Sequence, residues 1–189
     1  MHRLVATLVA CGSVFTLATP LATAQDIDRG TEERPGNLGC EAYTWDVSRE
    51  LEVLAKPAIS LNAGRDAKTI AHADLDKRYA VKLVPQDTVK FAAKVGKPAL
   101  DDGAQAGLIS FRTAKAGKYR VAITTGHWLD VVDGANLVVS RDFQGQRNCE
   151  KVQKIVEFEL SGNRDFVLQL SGGTDTDVGL AITQVKPTN

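Results

Sequence analysis

The chain has 189 residues, with 23 Lys and Arg balanced by 23 Asp and Glu, so no broad basic face is available to bind nucleic acid. Apolar residues make up 43% and charged residues 24%. This composition excludes intrinsic disorder for most of the chain, and the length suits one ordinary domain rather than a multidomain enzyme.

Residues 1–24 read as a secretory signal, with a basic start at Arg3, an apolar run over 4–21, and Ala22-Thr23-Ala24 before Gln25. Gly12 and Pro20 interrupt the run and no later apolar stretch is long enough to span a bilayer, so no membrane span is expected. Removing the signal takes away Arg3 alone among the Lys, Arg, Asp and Glu residues, leaving one acidic charge in excess. The expected location is the bacterial periplasm or exterior. Leu8-Val9-Ala10-Cys11 has the residue types of a lipoprotein box, an alternative in which Cys11 is lipidated. Cleavage there would leave only a short apolar region and put residues 12–24, largely apolar, on the mature chain, so a soluble product is the preferred reading.

Loss of the signal leaves Cys40 and Cys149, an even pair that predicts one disulfide in an oxidising compartment. It would close a loop of about 110 residues, worth about 4 to 5 kcal/mol by chain entropy. Two unpaired thiols are the alternative. A cysteine metal site is disfavoured, because neither residue sits in a CxxC or Cys/His cluster.

Residues 25–39 are polar and broken by Gly and Pro, and are read as a flexible leader, with a single folded domain over 40–189. Within 41–55, Tyr43, Val47, Leu51 and Leu54 recur at helical spacing, which predicts one amphipathic helix ending before Pro57. Residues 63–78 have no clear period and stay unassigned. From Ala80 the period changes to two, through Val81 and Leu83, Val89 and Phe91, Ile109 and Phe111, and Tyr119, Val121 and Ile123. It continues through Leu129 and Val131 (or Val132), Leu137 and Val139, Val156, Phe158 and Leu160, Phe166, Leu168 and Leu170, and Val178, Leu180 and Ile182. Asp133-Gly134 is the best hairpin turn, with Gly162-Asn163 and Gly172-Gly173 next. The expectation is an all-β antiparallel sandwich or jelly roll of about eight or nine strands with one amino-terminal helix.

The run FRTAKAGKYRVAI, followed by WLDVVDGANLVVS, KIVEFELSG and FVLQLSGGTDTDVGLAIT, resembles secreted bacterial β-sandwich modules of the pre-peptidase C-terminal type. The similarity covers residues 107–185 and implies the sandwich, with a DxD-like turn before its last strands. The exported pattern as a whole, with CEAYTWDVSREL near its start, is similar to a small family of proteobacterial envelope proteins, some labelled homogentisate dioxygenase. That label implies a non-haem iron site of two His and a carboxylate. Outside the signal the chain has only His72 and His127, on an unassigned segment and a hairpin, and the residues argue against it.

Candidate ligand-binding residues are Trp128, His127 and Asp130, in a Gly-led hairpin where an exposed aromatic beside polar groups would suit a sugar ring or a peptide. The structural alternative is a packed Trp128 and a solvated His127. Asp175 and Asp177, with Asp101, Asp102, Asp130 and Asp133, are loop carboxylates that a calcium ion would use, although turn chemistry explains most of them. No Gly-x-Ser-x-Gly elbow occurs, and Ser110, Ser140, Ser161 and Ser171 lie on or beside strands with no adjacent base. Glu157, Glu159 and Asp142 supply carboxylates for glycoside hydrolysis, but Glu157 and Glu159 alternate with apolar residues and read as a solvated strand face. Lys115, Lys118, Arg120, Arg147, Lys151 and Lys154 form no stripe, and Lys154 shares the parity of the buried positions, which places it at the rim.

The functional expectation is therefore an exported, monomeric, non-catalytic binding or interaction module of the cell envelope, without a cofactor, for a glycan or a periplasmic protein. The alternatives are a metal-dependent enzyme built on His72, His127 and a carboxylate, and a structural or chaperone-like periplasmic subunit.

Overall fold

The alternating segments fold into two packed sheets in the computed structural model, which describes residues 39–96 and 102–186. The signal segment with Cys11, the leader up to Leu38, and Asp101 lie outside the described residues. The strands are β1 (Ile59–Asn62), β2 (Ala71–His72), β3 (Arg78–Lys82), β4 (Val84–Pro85), β5 (Gln105–Thr113) and β6 (Gly117–Ile123). The carboxy-terminal half adds β7 (Trp128–Asp133), β8 (Asn136–Val138), β9 (Ser140–Gly145), β10 (Lys154–Leu160), β11 (Arg164–Gly173) and β12 (Asp177–Gln184). Sheet A runs β1-β3-β12-β6-β10-β9, and sheet B runs β2-β5-β11-β7-β8 with β4 on β5.

The all-β sandwich expected from the sequence is what forms, with two corrections. The described residues hold twelve strands rather than eight or nine, and the sheets are mixed rather than wholly antiparallel. The parallel pairs are β1 on β3 and β2 on β5. They arise because residues 63–78 carry the chain from sheet A to sheet B and back, so the unassigned stretch is a crossover. The alternation at Val89 and Phe91 makes no strand. The stretch after β4 is a 3₁₀ turn, Gln86–Thr88, followed by irregular chain.

Core register follows the period of two. Leu129 pairs with Leu170, Val131 with Leu168, Phe111 with Phe166, and Val121 with both Val156 and Ile182. All of these side chains are buried between the sheets, with the Phe111 and Phe166 rings stacked at 5.6 Å. Asp133-Gly134 turns the β7–β8 hairpin as expected, with Gly134 at a φ of 63°, where a side chain would be strained. Gly162-Asn163 does not make a hairpin, because β10 and β11 belong to different sheets.

The predicted helix over 41–55 shrinks to a 3₁₀ turn, Gly39–Ala42, and a seven-residue helix, α1 (Ser48–Leu54). Hydrogen bonds to the sandwich hold the segment between them in irregular form. The Tyr43 hydroxyl donates to Val152 O at 3.1 Å, and the Thr44 N–H to Gln144 Oε1 at 2.9 Å. Cys40 and Cys149 form the expected disulfide, with Cα atoms 4.5 Å apart. The whole segment lies on the outer face of sheet A, where Tyr43, Val47, Val53 and Leu54 pack with Ala122, Ile155 and Ala181. The paired Ala122 and Ala181 keep that face low enough for a helix to sit on it. No helix among the described residues is long and apolar enough to cross a membrane.

Candidate functional site

Trp128, His127 and Asp130 come together, but inside the protein rather than on its surface. All three are buried. Trp128 and Asp130 alternate with the core residues Leu129 and Val131, so they point to the outer face of sheet B, beside their register partners Ser171 and Gln169. That face is covered by residues 86–96. Trp128 Nε1 donates to Asp130 Oδ1 at 2.9 Å, and the Gly96 N–H donates to Asp130 Oδ2 at 3.0 Å. The Gln169 carboxamide brackets Ala93, accepting its N–H at 2.9 Å and donating to its carbonyl at 3.3 Å. Gln86 Oε1 accepts the Gly172 N–H at 2.8 Å. These bonds pin the strap at three places. An exposed stacking platform at Trp128 is thereby overturned: the indole is part of a polar anchor.

His127 fills the end of the sandwich. Its ring lies so close to Gly173 that a Cβ there would stand 2.6 Å from Cε1. Nδ1 is 2.8 Å from Thr125 Oγ1, and Nε2 is buried with no hydrogen-bond partner. Burial lowers the imidazole pKa from 6.5 to about 4, with the repulsion of Lys154 and against the attraction of Asp175 and a weak backbone contact with Gly173 that falls short of good hydrogen-bond geometry. The ring is neutral at physiological pH. Lys154 is buried rather than at the rim, its Nζ donating to His127 O at 2.7 Å and lying 5.9 Å from the Trp128 ring centre. Asp130 is pushed above the ordinary carboxylate value by burial, with the Gly96 and Trp128 hydrogen bonds pulling it back.

What the strap presents to solvent is an open groove of about 550 Å³, with Pro85, Val89 and Phe91 supplying apolar surface and Gln86, Asp87 and Asp102 supplying polar groups. Sequence reasoning missed it, because Val89 and Phe91 have strand spacing and Asp102 is thirteen residues beyond Val89.

Among the described residues no three His, Cys, Asp or Glu side chains gather as a metal-ligand set. His72 stands half-exposed on β2, whereas His127 is enclosed. Asp177 is engaged by Lys82 at 3.1 Å and by the Thr176 hydroxyl at 2.8 Å.

Two further readings need correction. Glu157 is buried rather than solvated, because the amino-terminal segment covers it. It lies 3.2 Å from Arg120 Nε, and Glu50 Oε2 lies 3.6 Å from Arg120 Nη1. The Thr183 hydroxyl donates to Glu50 Oε1 at 2.7 Å, and Trp45 stacks 4.6 Å from the guanidinium. This network clamps α1 to sheet A. Glu159 alone of the β10 pair keeps its solvated position. Ser110, read as lacking a base, has one: the parallel pairing of β2 with β5 sets His72 beside it, Nδ1 3.3 Å from Ser110 Oγ. Asp74 Oδ1 lies 3.7 Å from His72 Nε2, and Ser110 Oγ also donates to Ala71 O at 3.1 Å.

Comparison of the chain with protein-family models, with curated proteins and with solved structures finds no match.

Proposed function

We propose that this protein is an exported, non-catalytic binding module of the bacterial cell envelope that takes a glycan or an extended protein segment in the groove built on the strap over 86–96. The observation that carries the reading is the way the strap is held. Four hydrogen bonds from Gln86, Asp130 and Gln169 fix a segment that has no strand partner, and the result is one partly exposed aromatic, Phe91, beside two carboxylates. An apolar ring with nearby hydroxyl acceptors is the recurrent chemistry of sugar and peptide recognition. Trp128, Asp130 and Gln169 act as positioning residues for that surface. The disulfide suits an oxidising compartment, and the resemblance to pre-peptidase C-terminal modules points the same way.

Retention on an array of envelope glycans tests this directly. Wild-type protein is retained, and Phe91→Ala loses retention at an unchanged melting temperature. Equal retention of both proteins removes the groove as the site, and retention of neither removes a glycan as its ligand.

The contact of Ser110 with His72 favours a second, hydrolytic reading, with Asp74 orienting the imidazole. It predicts labelling of Ser110 by a fluorophosphonate probe, abolished in His72→Ala. The carbonyl of Ala71 competes for the hydroxyl proton and Asp74 stands beyond hydrogen-bond distance, so binding is the better supported function.

A further inference from the structure

We propose that His127 is a proton-driven release for the strap over 86–96: with its ring neutral the Gly172-Gly173 turn closes over it onto Gln86, and with its ring charged the turn is pushed away and the groove end of the strap loosens. The contacts run in one line. The ring lies against Gly173, where a Cβ would stand 2.6 Å from Cε1 and 2.7 Å from Cγ and Cδ2. Gly172, the next residue, donates its N–H to Gln86 Oε1 at 2.8 Å. Gln86 opens the 3₁₀ turn of the strap and lines the groove with Pro85, Asp87 and Phe91. A change at the buried ring therefore reaches the groove through two glycines and one carboxamide.

The segment between ring and strap is suited to moving. β11 pairs with β5 at Leu170 with Gly107 and again at Gly173 with Gln105, so three steps on one strand answer two on the other and one residue bulges from the ladder. Gly172 sits in this bulge at a φ of 72°, with open space where a Cβ would be. Its neighbour Ser171 is still paired with Trp128 of β7, which fixes the strand up to the point where the turn can swing.

Charge supplies the driving force. The wholly buried ring sits beside Lys154 of β10, itself buried, whose Nζ donates to His127 O at 2.7 Å and to Gly126 O at 3.3 Å. A proton on the imidazole puts a second cation into a pocket that already encloses one. The other groups around the ring are Thr125 Oγ1, 2.8 Å from Nδ1, and the exposed Asp175 on the turn between β11 and β12. Asp130 of β7 lies beyond Trp128, bonded to that indole and to the Gly96 N–H. Asp175 and the Gly173 backbone favour the charged ring, but burial outweighs them, and the folded ring takes its proton only near pH 4. The charged ring gains water and Asp175 by displacing Gly173, which is packed across it, and Gly172 then leaves Gln86.

Control of a ligand through this release rests on the groove being the binding site, but the release itself is tested without a ligand, by amide exchange and NMR of the intact protein. At pH 7, Gly173→Ala drives a methyl into the ring, and protection of the Gly172 N–H falls by about tenfold or more while Leu168 in the core stays protected. Adding His127→Ala removes the clash, and protection of Gly172 returns to within about threefold of wild type. In wild type, the amide resonances of Gly172 and Gln86 move with the His127 ring protons on one acid titration curve, and in His127→Gln most of that movement is lost. The titration needs no change at Gly173, so it stands if that variant fails to fold. Unaltered protection of Gly172 in Gly173→Ala overturns the proposal, as does a loss that remains in the double variant, because the methyl then acts on the strand and not through the ring. So does a wild type that unfolds in acid with no earlier change at Gly172, or a change that survives in His127→Gln and so belongs to Asp130 or Asp175.

Discussion

Acidification offers the most direct probe of the sandwich end, because His127 is held neutral there. Its ring is wholly buried, and burial brings its pKa down to about 4 from the ordinary 6.5. Below 6.5 the unfolded chain takes up a proton that the folded chain refuses until about 4. Stability is therefore complete above 6.5 and is lost progressively as the pH falls from there to about 4. With each pH unit worth about 1.36 kcal/mol, the window corresponds to about 3 kcal/mol. Guanidinium unfolding of wild type and of His127→Gln at several pH values between 7 and 4 isolates this contribution. Asp130 contributes with the opposite sign, since the folded state binds its proton more readily than the unfolded state does, and it is common to both proteins. Asp46, Asp66, Asp74 and Asp177 are held below the ordinary carboxylate value of 3.8, and their contributions are lost mainly below the window. The stability difference between wild type and variant should shrink by about 3 kcal/mol between pH 7 and pH 4. Two curves that remain parallel across this range would refute a buried neutral imidazole.

Cys149→Ser, measured by denaturant unfolding against oxidised wild type, should cost about 4 to 5 kcal/mol, because the bridge closes a long loop in the unfolded chain; equal midpoints with and without reductant would show that the bond is not formed. Glu50→Ala should cost about 3 kcal/mol by stranding Arg120 against Glu157 alone and freeing the Thr183 hydroxyl. A loss under about 1 kcal/mol would mean that solvent already screens the network. Gln169→Leu removes both bonds to Ala93 and should speed amide hydrogen exchange at Ala93 while leaving the core strands protected, and unchanged exchange there would show that the strap is held by other contacts.

The part of the fold legible in the sequence was the part with one buried face. Tyr119, Val121 and Ile123, or Phe166, Leu168 and Leu170, alternate because only one side of their strand faces the other sheet. Four strands lack that signal: β2 and β4 are only two residues long, and β9 and β1 hide it. In β9 only Phe143 packs against the core, amid polar neighbours, because β9 is a sheet edge. In β1 the apolar pair Ile59 and Leu61 is too short a pattern to stand out after Pro57. The helix was overextended for a different reason. Tyr43 and Val47 have helical spacing and are buried, but they are buried by docking on sheet A, and spacing does not distinguish the two causes.

Glu157 misleads through one assumption, that a polar residue alternating with apolar ones faces water. Asp130, Gln169, Glu157 and Thr183 all alternate with core residues, and all are buried, because each sheet carries a covering segment on its outer face. A polar group buried without a partner costs about 1 to 3 kcal/mol, so such positions are tolerable only if the cover supplies the missing bonds. On sheet A it supplies Glu50 to Thr183 and to Arg120; on sheet B the backbone of Ala93 and Gly96 meets Gln169 and Asp130. Each pairing joins residues between 34 and 133 positions apart, which no local pattern encodes. These polar positions, Asp130 among them, are thus what attaches the covers, and the surface left for a ligand is the one the sheet B cover presents on its far side.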